Sequence, residues 1–335
     1  MKAALFDGSQ KLKIIDKEKP AIDKDQVLIK VAACGVCGTD IKILDGQSHS
    51  NPPVVLGHEF CGEVVETGEE VDDLGTGDFV SIDPNIYCGK CRFCRKGQIN
   101  LCENLTAIGV DIDGGFAEYC AVPAGQCYTL SKKPIINAAA LMEPLSCAIY
   151  GIQKANVDIG DRVVIIGAGM IGIMMIKLSQ LAGASQITVL EIDEKRRQYT
   201  LDNGADQALD PAVENRKIRK LKQEDCDAVI ECAGNTTTAK LSIDLVRPGG
   251  TVVFFGVVPN NEVINLSPYQ IYKKDLTLRG SFLNPFTFST AADLINSGKI
   301  DFSSIDIVRY SLENIQAAIA NQKEKNNLKT MIEFI

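Results

Sequence analysis

The sequence predicts an α/β protein in which a β-rich domain is joined to a doubly wound parallel sheet. Three observations predict it: a change of texture near residue 137, a glycine motif at a strand–helix junction, and a tight run of four cysteines. Residues 1 to about 140 carry short strand-like runs (26–31, 61–65, 78–82) parted by Gly, Pro and Asp turns, a barrel-like pattern. Helical periodicity then appears over 138–155, and apolar strands begin to alternate with amphipathic helices. The expected strands are 162–166, 186–190, 227–231, 251–255 and 277–279, with helices over 171–182 and 194–203. Val163, Val164, Ile165 and Ile166 are apolar without interruption, as in a strand covered on both faces. After Gly280 come two more helical patterns and a closing strand over 330–334.

Composition narrows the function classes. The 335 residues are 45% hydrophobic and 23% charged, which suits a globular protein of two domains. A net charge of -8 argues against nucleic acid or an anionic membrane as partner. The most basic stretch, 214–222, keeps acidic residues on both sides and reads as a solvated helix face. Met1 to Phe6 runs straight into Asp7-Gly8, too short for a signal core. The longest apolar run, 163–176, is broken by three glycines and falls short of the ~20 residues of a membrane span. A cytoplasmic protein is expected, and there twelve cysteines point to metal rather than to disulfides.

Gly167-Ala168-Gly169-Met170-Ile171-Gly172 is a G-x-G-x-x-G motif. An apolar strand precedes it, a helical pattern follows, and Glu191 stands nineteen residues past Gly172 at the end of the next strand. Gly167 permits a tight turn, Gly169 lets backbone approach a pyrophosphate, and Gly172 allows close helix–strand packing. A helix N-terminus then faces the anion. Glu191 is the expected acceptor for ribose hydroxyls, and its charge favours NAD over NADP. Arg196 and Arg197 just downstream keep NADP open.

Cys88, Cys91, Cys94 and Cys102 have the spacing C-x2-C-x2-C-x7-C. Four thiolates so close match a closed tetrahedral zinc site. An iron–sulfur cluster also takes four cysteines, but no electron-transfer segment accompanies these. Four protein ligands leave no open position, so this site is structural. A catalytic metal needs an open one. The chain has two histidines: His58 before a strand, and His49 in a polar stretch. Cys37 lies twenty-one residues before His58, and Glu143 at the change of texture. Singly, they read as a buried thiol, a loop imidazole and a helix-terminal carboxylate. Together, in a chain with a dinucleotide motif and a zinc lobe, they point to a metal.

On these residues the chain resembles the zinc-containing medium-chain dehydrogenases along essentially its full length. The resemblance is carried by Gly35-Val36-Cys37-Gly38-Thr39-Asp40, Gly57-His58-Glu59, the four cysteines, Asp161-Arg162-Val163 before the glycine motif, and Glu231-Cys232-Ala233-Gly234. Met142-Glu143-Pro144-Leu145 is similar to the polyol branch: sorbitol, arabitol, butanediol and threonine dehydrogenases. The resemblance implies a GroES-like catalytic domain (1–143 and 280–335, zinc lobe 86–104) and a Rossmann domain (144–279). It implies two zinc ions per chain, NAD, a small alcohol substrate, and a homodimer or homotetramer.

Cys37 and His58 carry over as catalytic zinc ligands, and Glu59 as a ligand in the sorbitol-type arrangement. Glu143 would reach the metal through a water or bind it directly; the sequence leaves the choice between the two carboxylates open. Gly167, Gly169, Met170, Ile171, Gly172, Glu191, Arg196, Cys232, Ala233 and Gly234 carry over as the cofactor site. Manganese or cobalt would also suit a Cys-His-Glu site.

Two departures stand out. Lys42 occupies a position where many relatives have a histidine for proton transfer, so the relay would run through Thr39, water and Glu143, or through Lys42. Ser281-Phe282-Leu283-Asn284 replaces the Arg-Tyr pair that touches sorbitol, which puts sorbitol itself in doubt and leaves polyol phosphates, butanediol and threonine as alternatives. The rival classes are a metal-free quinone or enone reductase, against which the metal residues argue, and a nucleotide-binding structural or sensor protein.

Overall fold

A computed structural model describes residues 1–130, 136–213, 215–223, 225–303, 305–324 and 327–334. In chain order the strands are β1 (Lys2–Phe6), β2 (Leu12–Asp16), β3 (Gln26–Val36), β4 (Val54–Val55), β5 (Glu59–Thr67), β6 (Phe79–Ile82), β7 (Asn85–Ile86), β8 (Thr106–Ala107) and β9 (Tyr119–Pro123). They continue with β10 (Cys127–Thr129), β11 (Arg162–Ile166), β12 (Gln186–Leu190), β13 (Gln207–Leu209), β14 (Cys226–Glu231), β15 (Val246–Phe254), β16 (Thr277–Gly280), β17 (Ile307–Tyr310) and β18 (Lys329–Glu333). The helices are α1 (Gly38–Leu44), α2 (Ile136–Ala140), α3 (Met142–Ala155), α4 (Met170–Ala182), α5 (Glu194–Asp202), α6 (Asn215–Leu221), α7 (Thr236–Leu245), α8 (Pro268–Lys274), α9 (Phe288–Asn296) and α10 (Ile315–Glu324).

The chain divides into two compact units, Met1–Ser146 with Pro285–Ile335, and Cys147–Asn284. These limits lie a few residues beyond the 143 and 280 expected from the sequence. A hydrogen bond from Thr287 Oγ1 to the Ser146 carbonyl, 2.7 Å, ties the two ends of the first unit together.

The first unit is built on β3. Residues Gln26 to Lys30 pair antiparallel with β9, and Ala33 to Val36 pair with β18. On its other edge β3 runs against β5, with register shifts at Leu28/Ile29 and Val31/Ala33. Such bulges bend a strand and sharpen its twist. The seven-stranded sheet has the order β10-β6-β5-β3-β18-β17, with β9 also on β3, and a three-stranded sheet β2-β1-β4 accompanies it. Alternate residues Val27, Ile29 and Val31 enter a core that also holds Phe60, Phe116 and Ile332.

The helical pattern expected as one run over 138–155 is two helices, α2 and α3. Pro144 explains the break: it has no N–H to offer the Ala140 carbonyl, and its ring would clash with that oxygen. In the first turn of a new helix the missing N–H costs nothing.

The second unit holds a six-stranded, wholly parallel sheet of order β13-β12-β11-β14-β15-β16. Chain order reverses between β11 and β14, which is where open sheets of this kind bind nucleotides. Val163 to Ile166 are all buried, as their unbroken apolar run requires. The basic stretch forms α6, with Arg216, Lys217, Arg219 and Lys220 exposed over buried Ile218 and Leu221; Glu214 lies outside the described residues. Among the described residues no helix is long and apolar enough to cross a membrane.

Asp227 ties the starts of three central strands. Its Oδ2 accepts the Arg162 N–H at 2.8 Å and its Oδ1 the Arg247 Nε at 2.6 Å. Burial raises its pKa, but these donors and the guanidinium charge outweigh that and set it below the ordinary 3.8. A depressed pKa contributes stability that is fully present above 3.8 and is lost as pH falls through the lowered value. Asp227→Asn should therefore cost about 1 kcal/mol at neutral pH, given partial solvent screening. Urea unfolding across pH checks this: the gap to wild type should close in acid.

Candidate active site

The glycine loop follows β11 directly. Gly167 takes φ 103°, a left-handed value, and its N–H donates to the Leu190 carbonyl at 2.8 Å. A Cβ on Gly172 would collide with the Gly167 carbonyl oxygen, so the turn and the start of α4 close on each other only with glycine there. Gly169 caps α4 without a side-chain bond, and the place of its Cβ is open space. The first turn of a 13-residue helix thus has room for an anion that its dipole favours. Met170 is buried and Ile171 half-buried behind this turn.

Glu191 stands just past β12. Its Oε2 accepts the Ala168 N–H at 2.8 Å and its Oε1 the Asp193 N–H at 3.0 Å, so the carboxylate already leans on the glycine loop. Arg197 is committed to the Glu191 and Ile192 carbonyls at 2.9 and 2.7 Å. Arg196 is half-buried in the first turn of α5, where its backbone N–H reaches Asp193 Oδ1 at 2.8 Å. Cys232, Ala233 and Gly234 follow β14 and lie against the same turn. The Cys232 N–H donates to Ile166 at 2.8 Å, and a Cβ on Gly167 would sit 3.1 Å from the Ala233 nitrogen.

The four cysteines converge in a loop between β7 and β8. The sulfurs of Cys88, Cys91, Cys94 and Cys102 all lie within 4.8 Å of one another. Bonds of about 2.3 Å to a tetrahedral zinc would set the sulfurs about 3.8 Å apart, so the set fits zinc. Backbone N–H groups already point at the sulfurs: those of Cys88 and Asn104 reach Cys102 Sγ at 3.3 Å each. The N–H groups of Lys90 and Cys91 lower the Cys88 thiol to about 6, which prepares it as a thiolate ligand.

A second group joins Cys37, His58 and Glu59, one donor atom from each within 4.8 Å of the others. Sheet pairing brings them together. Cys37 directly follows β3 as the N-cap of α1, and Glu59 begins β5 directly opposite Gly35. Sulfur, imidazole nitrogen and carboxylate oxygen form a donor set suited to a three-ligand zinc with a position left open. Asp40 is fully buried behind the group. Its Oδ2 accepts the Cys37 N–H at 2.8 Å and its Oδ1 lies 3.5 Å from His58 Nδ1, which leaves Nε2 as the nitrogen open to a metal. Burial opposes a charged His58, but Asp40 and Cys37 more than offset it and raise the pKa well above the ordinary value.

Thr39 and Lys42 sit one turn apart on α1, both half-buried. Glu143 is buried in the first turn of α3, outside the three-residue donor group. His49 is exposed, 3.4 Å from Asp111.

Lys329 had no signal in the sequence; it lies one residue before the closing strand expected there and heads β18 in the structure. It is buried and ion-paired with Glu59 Oε2. Burial opposes its charge, but Glu59 first, then Cys37 and Asp40, raise its pKa above the ordinary lysine value. Gly35 makes the room: a Cβ there would overlap Glu59 Oε2 and sit 2.8 Å from Lys329 Cε.

Comparison with known proteins agrees across the chain. Residues 23–132 match the alcohol dehydrogenase GroES-like domain, and residues 171–297 match the zinc-binding dehydrogenase family. D-arabinitol dehydrogenase 1 of Uromyces fabae is 32% identical over 99% of this chain and 97% of its own length. L-threonine 3-dehydrogenase of Caldanaerobacter subterraneus is 37% identical over 80% of this chain and 78% of its own. A solved structure described as a zinc-binding dehydrogenase from Sinorhizobium meliloti 1021, bound to NADP, superposes with a TM-score of 0.96 at 37% identity, covering 99% of both chains.

Lys329→Met should destabilise the metal-free protein by about 3 kcal/mol, because Glu59 is left buried and unpaired. Zinc gives that carboxylate a partner again. In denaturant unfolding with and without zinc, the gain on loading should be larger for the variant than for wild type.

Proposed function

The chain belongs to the zinc-containing medium-chain dehydrogenases, in their polyol branch, and from that premise we propose that it oxidises a secondary hydroxyl of a small polyol to a ketone with NAD as hydride acceptor. The observation that carries this reading is the Cys37, His58 and Glu59 donor group, in a chain that also has a dinucleotide loop. A zinc ion held there would supply Lewis acidity, lowering the pKa of an alcohol and polarising the product carbonyl.

The chain's own residues do the rest. Cys37, His58 and Glu59 would hold the ion, and Glu143 would hold a water on it or bind it directly. Thr39, in the first turn of α1, takes the hydroxyl proton toward solvent, with Lys42 one turn on as the alternative carrier. NAD, when bound, would accept the carbinol hydrogen as hydride while the hydroxyl gives up its proton, so that the alcohol is oxidised and the coenzyme reduced. Cys88, Cys91, Cys94 and Cys102 would hold a second zinc and leave it no open position. Glu191 binds the ribose hydroxyls and repels a 2′-phosphate, which favours NAD, although the Sinorhizobium relative is bound to NADP.

A second reading, threonine as substrate, is favoured by the Caldanaerobacter relative; it too presents a secondary hydroxyl. The cytoplasm suits twelve cysteines that form no disulfide. A homodimer or homotetramer suits the unpaired edge of β16 and exposed Tyr269, Tyr272 and Val263 nearby in the chain.

Purified, zinc-loaded protein should reduce NAD with polyols; polyol phosphates, butanediol and threonine complete the screen. Activity with threonine alone would select the second reading, and no coenzyme reduction with any alcohol would sink both. Cys37→Ser should abolish turnover while leaving NADH binding unchanged in calorimetry. Glu191→Ala should lower the NAD-to-NADP ratio of kcat/KM by about tenfold or more.

A further inference from the structure

We infer that Glu231 is a positioning residue for the nicotinamide half of the dinucleotide, as Glu191 is a binding residue for the adenosine half. The inference rests on the dinucleotide reading above. Glu231 ends β14 with 0% exposure, and among the described residues no cation pairs with it. A carboxylate buried this way requires another source of stabilisation. Here the source is a loop. Glu231 Oε1 accepts the N–H groups of Ala233 and Gly234 at 2.9 Å each and the Thr238 hydroxyl at 2.8 Å. These donors gather at the N-terminus of α7, where the helix dipole also favours an anion.

The same residue grips the neighbouring strand end. Its backbone carbonyl accepts the Phe255 N–H at 2.9 Å and the Gly256 N–H at 2.7 Å. Its Oε2, without a hydrogen-bond partner among the described residues, faces the second loop: a Cβ on Gly256 would lie 2.7 Å from it. Glu231 thus fixes from beneath the two loops that follow β14 and β15. Ala233 and Val257, on those loops, are exposed above it.

Strand order decides which half of the coenzyme these loops serve. The sheet reverses between β11 and β14, and a dinucleotide lies across that point. Glu191 directly follows β12, on one side of β11; the loops that Glu231 shapes follow β14 and β15, on the other. With the adenosine ribose at Glu191, the nicotinamide end falls to the Glu231 loops.

The test compares two probes on the full-length, zinc-loaded protein: NAD, and ADP-ribose, which lacks only the nicotinamide. Glu231→Ala should weaken NAD by about tenfold or more while changing ADP-ribose by less than about threefold. Glu231→Gln, which keeps an acceptor oxygen for the three donors, should stay within about threefold of wild type for both probes. Equal weakening of both probes in folded Glu231→Ala, unchanged NAD affinity, or a glutamine variant as weak as alanine would each overturn the inference. If the alanine variant does not fold, Thr238→Val removes one of the three donors. It should weaken NAD by about threefold and spare ADP-ribose, and an unaltered NAD affinity overturns the inference. Wild type that binds neither probe refutes the dinucleotide reading itself, an outcome distinct from any seen in the variants.

Discussion

The antiparallel pairing of β3 with β5 is the constraint on which the proposed metal chemistry depends. It sets Gly35 opposite Glu59 and so carries Cys37, at the end of one strand, to His58 and Glu59 at the start of the other. A slip of one residue would turn the Glu59 carboxylate to the opposite face of the sheet. The bulges and the packed Val27, Ile29 and Val31 make such a slip costly, because the core face would move with it. Hydrophobic burial and site geometry are therefore specified by the same register.

Charge is handled in the same economical way in both units. Asp40 and Glu231 are fully buried carboxylates, and each accepts backbone N–H groups at the start of a helix, Asp40 from Cys37 before α1 and Glu231 from Ala233 and Gly234 before α7. Lys329 is a buried cation that faces Glu59, Cys37 and Asp40 together. Buried charges fix geometry firmly because moving any one of them leaves another unpaired.

Local features were legible in the sequence. The unbroken apolar run of β11, the glycine spacing at its end and the cysteine spacing each express a short-range rule, and the parallel sheet follows from their order. The ligand group was legible only jointly, through scarce histidines and the family motif. Lys329 was not legible, since it meets Glu59 across 270 residues of chain through a strand pairing that no local pattern announces. The same holds for Glu231. Its motif was visible, but its three donors and its grip on Phe255 and Gly256 depend on how neighbouring strands end. The split between α2 and α3 was within reach, because Pro144 marks it, but the helical periodicity on either side masked the break.

Residue 35 shows what this arrangement implies for variation. It contributes no side-chain atom and touches no reactant, yet a single methyl group there would fill the space in which the lysine and glutamate meet. A census of chemically active side chains would pass over it. Substitution there would act on the reaction through volume alone, with every ligand still in the sequence.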